Sequence, residues 1–168
     1  MQKLISKEEI QQAVAKIAKR IDADYKAEGV VLVAVLKGAC CLASDLLRAI
    51  SIPCEIEFIQ AKSYGPLGSS RGDLTLLGLD QLQIQGKQVL VVDDIFDSGE
   101  TLSQIIENLQ KKAAKNVRSL VLLRKKISRT VAYEPDYALF DINDDFVVGY
   151  GLDYKELYRG LNGIYKLT

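Results

Sequence analysis

Asp93 and Asp94 stand in tandem, and three residues after them begins the run Asp97, Ser98, Gly99, Glu100 and Thr101. Residues 89–92, just before, are valines and a leucine, the composition of a strand buried on both faces. Leu102, Ile105, Ile106 and Leu109, just after, recur at helical spacing. A buried strand that ends in two carboxylates and turns at once into a helix delivers those residues at its carboxyl end, where open α/β sheets bind ligands. Gly99 permits close backbone approach, Ser98 and Thr101 supply hydroxyls, and the first helical turn leaves N–H groups unpaired. Together these make an anion cradle suited to a phosphate monoester. It is not a Walker A loop, because the GxxxxGK[ST] pattern is absent. Asp93 and Asp94 repel an anion and so need another partner. Ribose hydroxyls acting as donors, or the water shell of a magnesium ion, would each serve.

The elements that must hold this motif can be read outward from it. Ser6 followed by Glu9 reads as a capping box, and Ile10, Val14, Ile17 and Ile21 form one stripe of a helix ending near Gly29. Residues 30–36 are a second wholly apolar strand. Leu42, Leu46 and Leu47 mark a helix to about Ile50, and Pro53 starts a strand through Ile59. Residues 63–73 then break the pattern with three glycines, three serines and a proline, as a functional loop does. Residues 117–123 make a third strand, followed by Arg124, Lys125 and Lys126. Strands alternating with helices predict an α/β domain with a mainly parallel sheet. From Val131 onward strand signals shorten and aromatics accumulate (Tyr133, Tyr137, Phe140, Phe146, Tyr150, Tyr154, Tyr158, Tyr165), which fits a β-rich hood over the sheet edge.

Composition narrows the function classes. In 168 residues, 48% hydrophobic and 26% charged, the balance is that of a globular domain rather than a disordered or fibrous chain. Twenty-two basic and twenty-two acidic residues cancel, which argues against nucleic-acid binding by bulk electrostatics. The absence of histidine removes Ser-His and Cys-His pairs and His-ligated zinc. Cys40, Cys41 and Cys54 form no disulfide framework or CxxC pair and read as small buried hydrophobes in a reducing compartment. No apolar run is long enough for a signal peptide core or a membrane span, so the expectation is a soluble, cytoplasmic protein with no membrane partner.

Residues 91–102, carrying Asp93, Asp94 and the run from Asp97 to Thr101, resemble the phosphoribosyl-pyrophosphate signature of type I phosphoribosyltransferases. Leu36, Lys37 and Gly38 look like that family's pyrophosphate-binding turn, and Lys62, Ser63 and Tyr64 like the start of its mobile catalytic loop. Residues 145–154, with Phe146, Val147 and Asp153, are similar to the base-binding segment of hypoxanthine-guanine phosphoribosyltransferases, and Arg159, Gly160, Leu161 and Asn162 extend the match. The motifs follow the family's order from Leu36 to Asn162, about three quarters of the chain.

The resemblance implies a single phosphoribosyltransferase domain over residues 1–168. Its parallel sheet would carry helices on both faces, under a small hood built mainly from residues 131–168 with the N-terminal segment. It implies a purine-salvage enzyme that displaces pyrophosphate from phosphoribosyl pyrophosphate with hypoxanthine or guanine, forming IMP or GMP with Mg2+ as cofactor. In that reading Asp97 is the general base near the purine N7 proton, although an aspartate there also suits a helix N-cap. Asp97, Ser98, Gly99, Glu100 and Thr101 wrap the 5′-phosphate, while Asp93 and Asp94 serve ribose or magnesium. Lys37, Gly38 and Arg159 hold pyrophosphate, with a cis peptide before Lys37. Phe146 stacks on the base, the Val147 backbone reads its edge, Lys125 donates to the 6-oxo group, and Asp153 holds magnesium through water. Outside the family pattern, Lys125 would read as part of a solvated basic face with Lys126 and Arg129. The resemblance also implies a homodimer or homotetramer. The competing readings are a xanthine-preferring enzyme and a non-catalytic nucleotide-binding regulator of the same fold.

Overall fold

Side chains alternate across an extended strand, so an apolar strand with packing on both sides must feed two separate cores. A computed structural model describes residues 1–63 and 74–167 and shows this division. After β1 (Gln2–Ile5) and α1 (Lys7–Tyr25) comes β2 (Val30–Leu36). Leu32 and Ala34 of β2 face one core, which takes in Ile10, Val14 and Ile21 of α1 and Leu42 and Leu46 of α2 (Cys40–Ala49). Val31, Val33 and Val35 face the other core. That side is closed by Leu102, Ile105 and Leu109 of the later helix α3 (Glu100–Gln110). Helices therefore cover both faces, as expected. Each fully buried Leu or Ile contributes about 1.5–3 kcal/mol, so these two stripes supply most of the packing energy of the helices.

The main sheet also contains β3 (Cys54–Ser63), β4 (Leu74–Leu77), β5 (Gln88–Phe96), β6 (Asn116–Lys125) and β7 (Tyr137–Ile142). Its order is β4-β3-β2-β5-β6-β7, parallel throughout except for the β3–β4 pair. The chain runs outward from β2 to β3, then starts again on the opposite side of β2 with β5. That reversal opens a crevice at the carboxyl ends of β2 and β5, where parallel sheets bind ligands. A second sheet, ordered β1-β9-β8, joins β8 (Val147–Val148) and β9 (Ile164–Lys166) to the N-terminal strand.

Ser6 and Glu9 form the expected capping box, each satisfying a backbone N–H of the other. Three expectations need correction. The strand expected to stop at Ile59 continues to Ser63, because its far end pairs antiparallel with the leucine-rich β4. The helix expected to reach Gly29 stops at Tyr25 and tightens into a 3-10 turn over Lys26–Glu28. Tyr137–Ile142, placed in the hood by sequence, belongs to the main sheet, where Leu120 pairs with Tyr137 and Lys125 with Ile142. Among the described residues no helix is long and apolar enough to cross a membrane.

Candidate active site

The crevice is a cleft of about 350 Å³. Strand β2 ends into it with Lys37 and Gly38, and the Leu36–Lys37 peptide is cis. Strand β5 brings Asp93 and Asp94, and the turn into α3 brings Asp97, Ser98, Gly99 and Thr101. Asp153 and Arg159 close it from the C-terminal segment. Of the expected phosphate-turn residues, Glu100 alone does not line the cleft; it is the first residue of α3.

Two glycines fit these pieces together. A Cβ on Gly38 would overlap the Asp94 carboxylate, so only glycine lets the β2 turn lie against the end of β5. Gly99, at φ +83°, caps α3 without a side-chain hydrogen bond. A Cβ there would run into Val131 and the Phe96 ring. The capping role considered for Asp97 is therefore not taken by that residue. Ser98 Oγ accepts from the Glu100 N–H at 3.3 Å instead, and the Asp97 carboxylate turns toward Lys125, 3.3 Å away.

Lys125 is no part of a solvated face. Its side chain is 12% exposed and its ammonium also meets Asp144 at 2.8 Å. Burial pulls its pKa down, but the hydrogen bonds to Asp144 and Asp97 outweigh that and the net shift is upward, so the lysine stays charged.

At the opposite end, Lys37 Nζ meets Glu156 at 2.8 Å, and Arg159 meets Asp153 at 2.9 Å and Glu156 at 3.3 Å. Arg159 also donates to the Gly151 carbonyl, while its buried Nε has no hydrogen-bond partner among the described residues. The guanidinium is thus charge-paired but keeps one donor without an acceptor.

Asp93 is buried and Asp94 nearly so. Desolvation raises both carboxyls, Asp93 well above the usual range, and repulsion from Asp94 adds to the shift at Asp93. Such a pair is short of a cation or of hydroxyl donors, which fits either role expected for it. Among the described residues no three acidic or sulfur side chains converge tightly enough to hold a metal alone. A magnesium ion bound in such a site would share its coordination with substrate oxygens, as is usual for it. Both Asp153 oxygens are engaged inside the chain, by Arg159 and by the Glu156 N–H, which suits contact through water.

Phe146 and Val147, expected to bind the base, stand apart from the cleft lining. Phe146 is 55% exposed with its ring edge-on to Tyr154, and Val147 is buried in the second sheet, paired with Lys166. The Lys125–Asp144 contact ties this segment to the cleft. Ser63 ends β3, and Tyr64 with the rest of the expected catalytic loop lies outside the described residues. Sequence reasoning missed Asp144 and Glu156, whose only signal was an acid near a motif, and it assigned Arg129 to the solvent.

A family model described as "Phosphoribosyl transferase domain" matches residues 3–155. The hypoxanthine-guanine phosphoribosyltransferase of Mycobacterium avium is 41% identical over 167 residues, covering 96% of this chain and 82% of that protein. The bifunctional protein TilS/HprT of Listeria innocua is 39% identical over 158 residues, 94% of this chain, but this chain spans only 24% of its length. A crystal structure of a hypoxanthine-guanine phosphoribosyltransferase from Bacillus anthracis superposes with a TM-score of 0.93 at 39% identity, covering 100% of this chain and 99% of that one. The family match runs through every cleft motif from Lys37 to Asp153, and the chain belongs to the phosphoribosyltransferase family.

Proposed function

We propose that this phosphoribosyltransferase acts on 6-oxopurines in purine salvage. It converts hypoxanthine and guanine with phosphoribosyl pyrophosphate to IMP and GMP, releasing pyrophosphate. The observation that carries the reading is the bracketing of Lys125 by Asp97 and Asp144. An ammonium has three donors and no acceptor. Two are taken by carboxylates, and the third is left for a purine oxygen at position 6. The amino group of adenine offers that lysine nothing to accept its proton.

The remaining groups divide the work by charge. Backbone N–H groups of the Asp97–Thr101 turn, with the Ser98 and Thr101 hydroxyls, hold the 5′-phosphate at the start of α3. Asp97, as general base, takes the proton from N7 as the opposite ring nitrogen, N9, bonds to ribose C1 and the C1–pyrophosphate bond breaks. Phe146 stacks on the base and the Val147 backbone reads its edge. Lys37, Gly38 and Arg159 orient the leaving pyrophosphate and take up its growing charge. Asp93 and Asp94 position the ribose hydroxyls, and Asp153 holds magnesium through water. When bound, that ion neutralises pyrophosphate charge and stabilises the leaving group. Residues 1–168 serve as one phosphoribosyltransferase domain, active as a homodimer or homotetramer in the cytoplasm.

Nucleotide formation from hypoxanthine, guanine, xanthine and adenine, each with phosphoribosyl pyrophosphate and magnesium, tests the reading. Rapid turnover of the first two and almost none of adenine is expected. Preference for xanthine would move the assignment to a neighbouring specificity, and no turnover with any base would overturn it.

A further inference from the structure

Arg129 is outside the cleft, yet its guanidinium touches the backbone on both sides of the base-recognition pair. Its side chain is 9% exposed. Nε donates to the Asp97 carbonyl at 2.6 Å, and one terminal nitrogen donates to the Phe96 carbonyl at 3.3 Å and to the Lys125 carbonyl. The other terminal nitrogen faces Glu134 at 3.4 Å. The guanidinium carbon lies 4.4 Å from the centroid of the Phe96 ring, against which Gly99 also packs.

We propose that Arg129 is the positioning residue of this site, clamping the ends of β5 and β6 so that the phosphate turn, Asp97 and Lys125 keep one geometry. The inference rests on the functional reading above.

Three carbonyls, from the end of β5, the residue after it and the end of β6, meet one planar cation. A guanidinium fixes directions as well as distances, because its donors form a rigid fork. Across a trans peptide the carbonyl and the following N–H point in opposite directions. Holding the Phe96 and Asp97 oxygens therefore turns the Asp97 and Ser98 N–H groups away from Arg129. Asp97 and Ser98 line the cleft, whereas Arg129 does not. Holding the Lys125 carbonyl fixes the base of the side chain whose ammonium meets Asp97. The neighbouring contacts reinforce the clamp from the same outer side: Val131 presses on Gly99, and Tyr133 lies edge-on to Phe96. Residues 129–133 thus back the phosphate turn from outside as a strap, and Arg129 reaches both strand ends.

The test compares Arg129→Gln and Arg129→Lys with the wild type. Both should fold, as judged by a cooperative melt. In Arg129→Gln, kcat/KM for hypoxanthine should fall about 10²-fold, the scale of a small misplacement of reacting groups. Discrimination against adenine should narrow, and IMP should bind more weakly. Arg129→Lys should recover part of the activity, since one ammonium reaches fewer carbonyls in fixed directions. Amide exchange at Ser98 and Gly99 should quicken in Arg129→Gln; this readout needs no turnover. Inactive wild-type protein would therefore defeat the functional reading alone, while exchange would still judge the clamp. Unchanged kinetics and exchange in folded Arg129→Gln would overturn the inference. So would an activity loss that tracks only the unfolded fraction, with KM and base discrimination intact.

Discussion

The two ends of the cleft to which anions are assigned by the proposed function are built on opposite plans. The turn from Asp97 to Thr101 has no lysine or arginine of its own; its donors are backbone N–H groups and hydroxyls at the start of α3. The end formed by Lys37 and Arg159 is cationic, and its cations are already paired with Glu156 and Asp153. A phosphate monoester carries little enough charge to be held by dipoles that need no counter-ion. Pyrophosphate is more highly charged and must be released after the reaction. Cations that exchange it for internal carboxylates can bind it without keeping it. Under the proposed function the difference assigns the static end to fixing the nucleotide and the exchangeable end to managing the leaving group. Asp93 and Asp94 lie between them at the end of β5, carboxylates crowded enough to need a cation or hydroxyl donors.

The largest expected effect breaks the exchangeable end by geometry. Gly38→Ala places a methyl group on the Asp94 carboxylate, so either the Lys37 turn or Asp94 must move. Turnover should fall by at least about 10²-fold, while IMP, held at the other end, still binds within a few-fold. Equal loss of IMP affinity would show that the two ends are not separable.

Next is the carboxylate pair. A raised carboxyl pKa means that the folded state binds that proton more tightly than the unfolded chain does. The stability it contributes is full below the unfolded pKa near 4 and is lost as pH rises through the folded value. Asp93→Asn removes the buried charge and keeps an oxygen for the Asp94 N–H that Asp93 now accepts at 2.9 Å. At neutral pH without magnesium the variant should be more stable by about 1–3 kcal/mol. Melting curves at neutral pH and near pH 4 should show that gain disappearing in acid, even though the variant is the poorer enzyme. A gain that persists near pH 4 would place its cause elsewhere.

The smallest effect sharpens the contrast. Glu156→Gln leaves Lys37 and Arg159 with less compensation, so pyrophosphate measured by calorimetry should bind about twofold to fivefold tighter, the scale of an exposed ion pair. Weaker binding would mean that Glu156 positions Lys37 rather than competing with the ligand.

Much of this plan was legible because it is local. The strand-turn-helix of residues 89–109, the capping box at Ser6 and the apolar strand at residues 30–36 each announce themselves within a dozen residues. The role of Asp97 was ambiguous, since an aspartate before a helix suits both a cap and a base. Only the fold, by bringing β6 beside β5, directs it to Lys125. Arg129 and Glu156 were illegible for the same reason. A charged residue in a loop looks solvated until tertiary structure supplies its distant partners, here the Phe96 and Asp97 carbonyls for Arg129 and Lys37 for Glu156. The edge strand β7 was misplaced because one parallel neighbour, rather than its own weak pattern, holds it in the main sheet.

The central claim is that Lys125 reads the 6-oxo group, and a competition between hypoxanthine and adenine in one reaction tests it most directly. Wild-type protein with phosphoribosyl pyrophosphate and magnesium should favour hypoxanthine by roughly 10⁴ or more, the discrimination available when the wrong base leaves a buried polar group unpaired. Lys125→Ala should narrow that ratio mainly by losing hypoxanthine turnover. Wild-type protein that used both bases equally, or a Lys125→Ala variant with the ratio unchanged, would contradict the account.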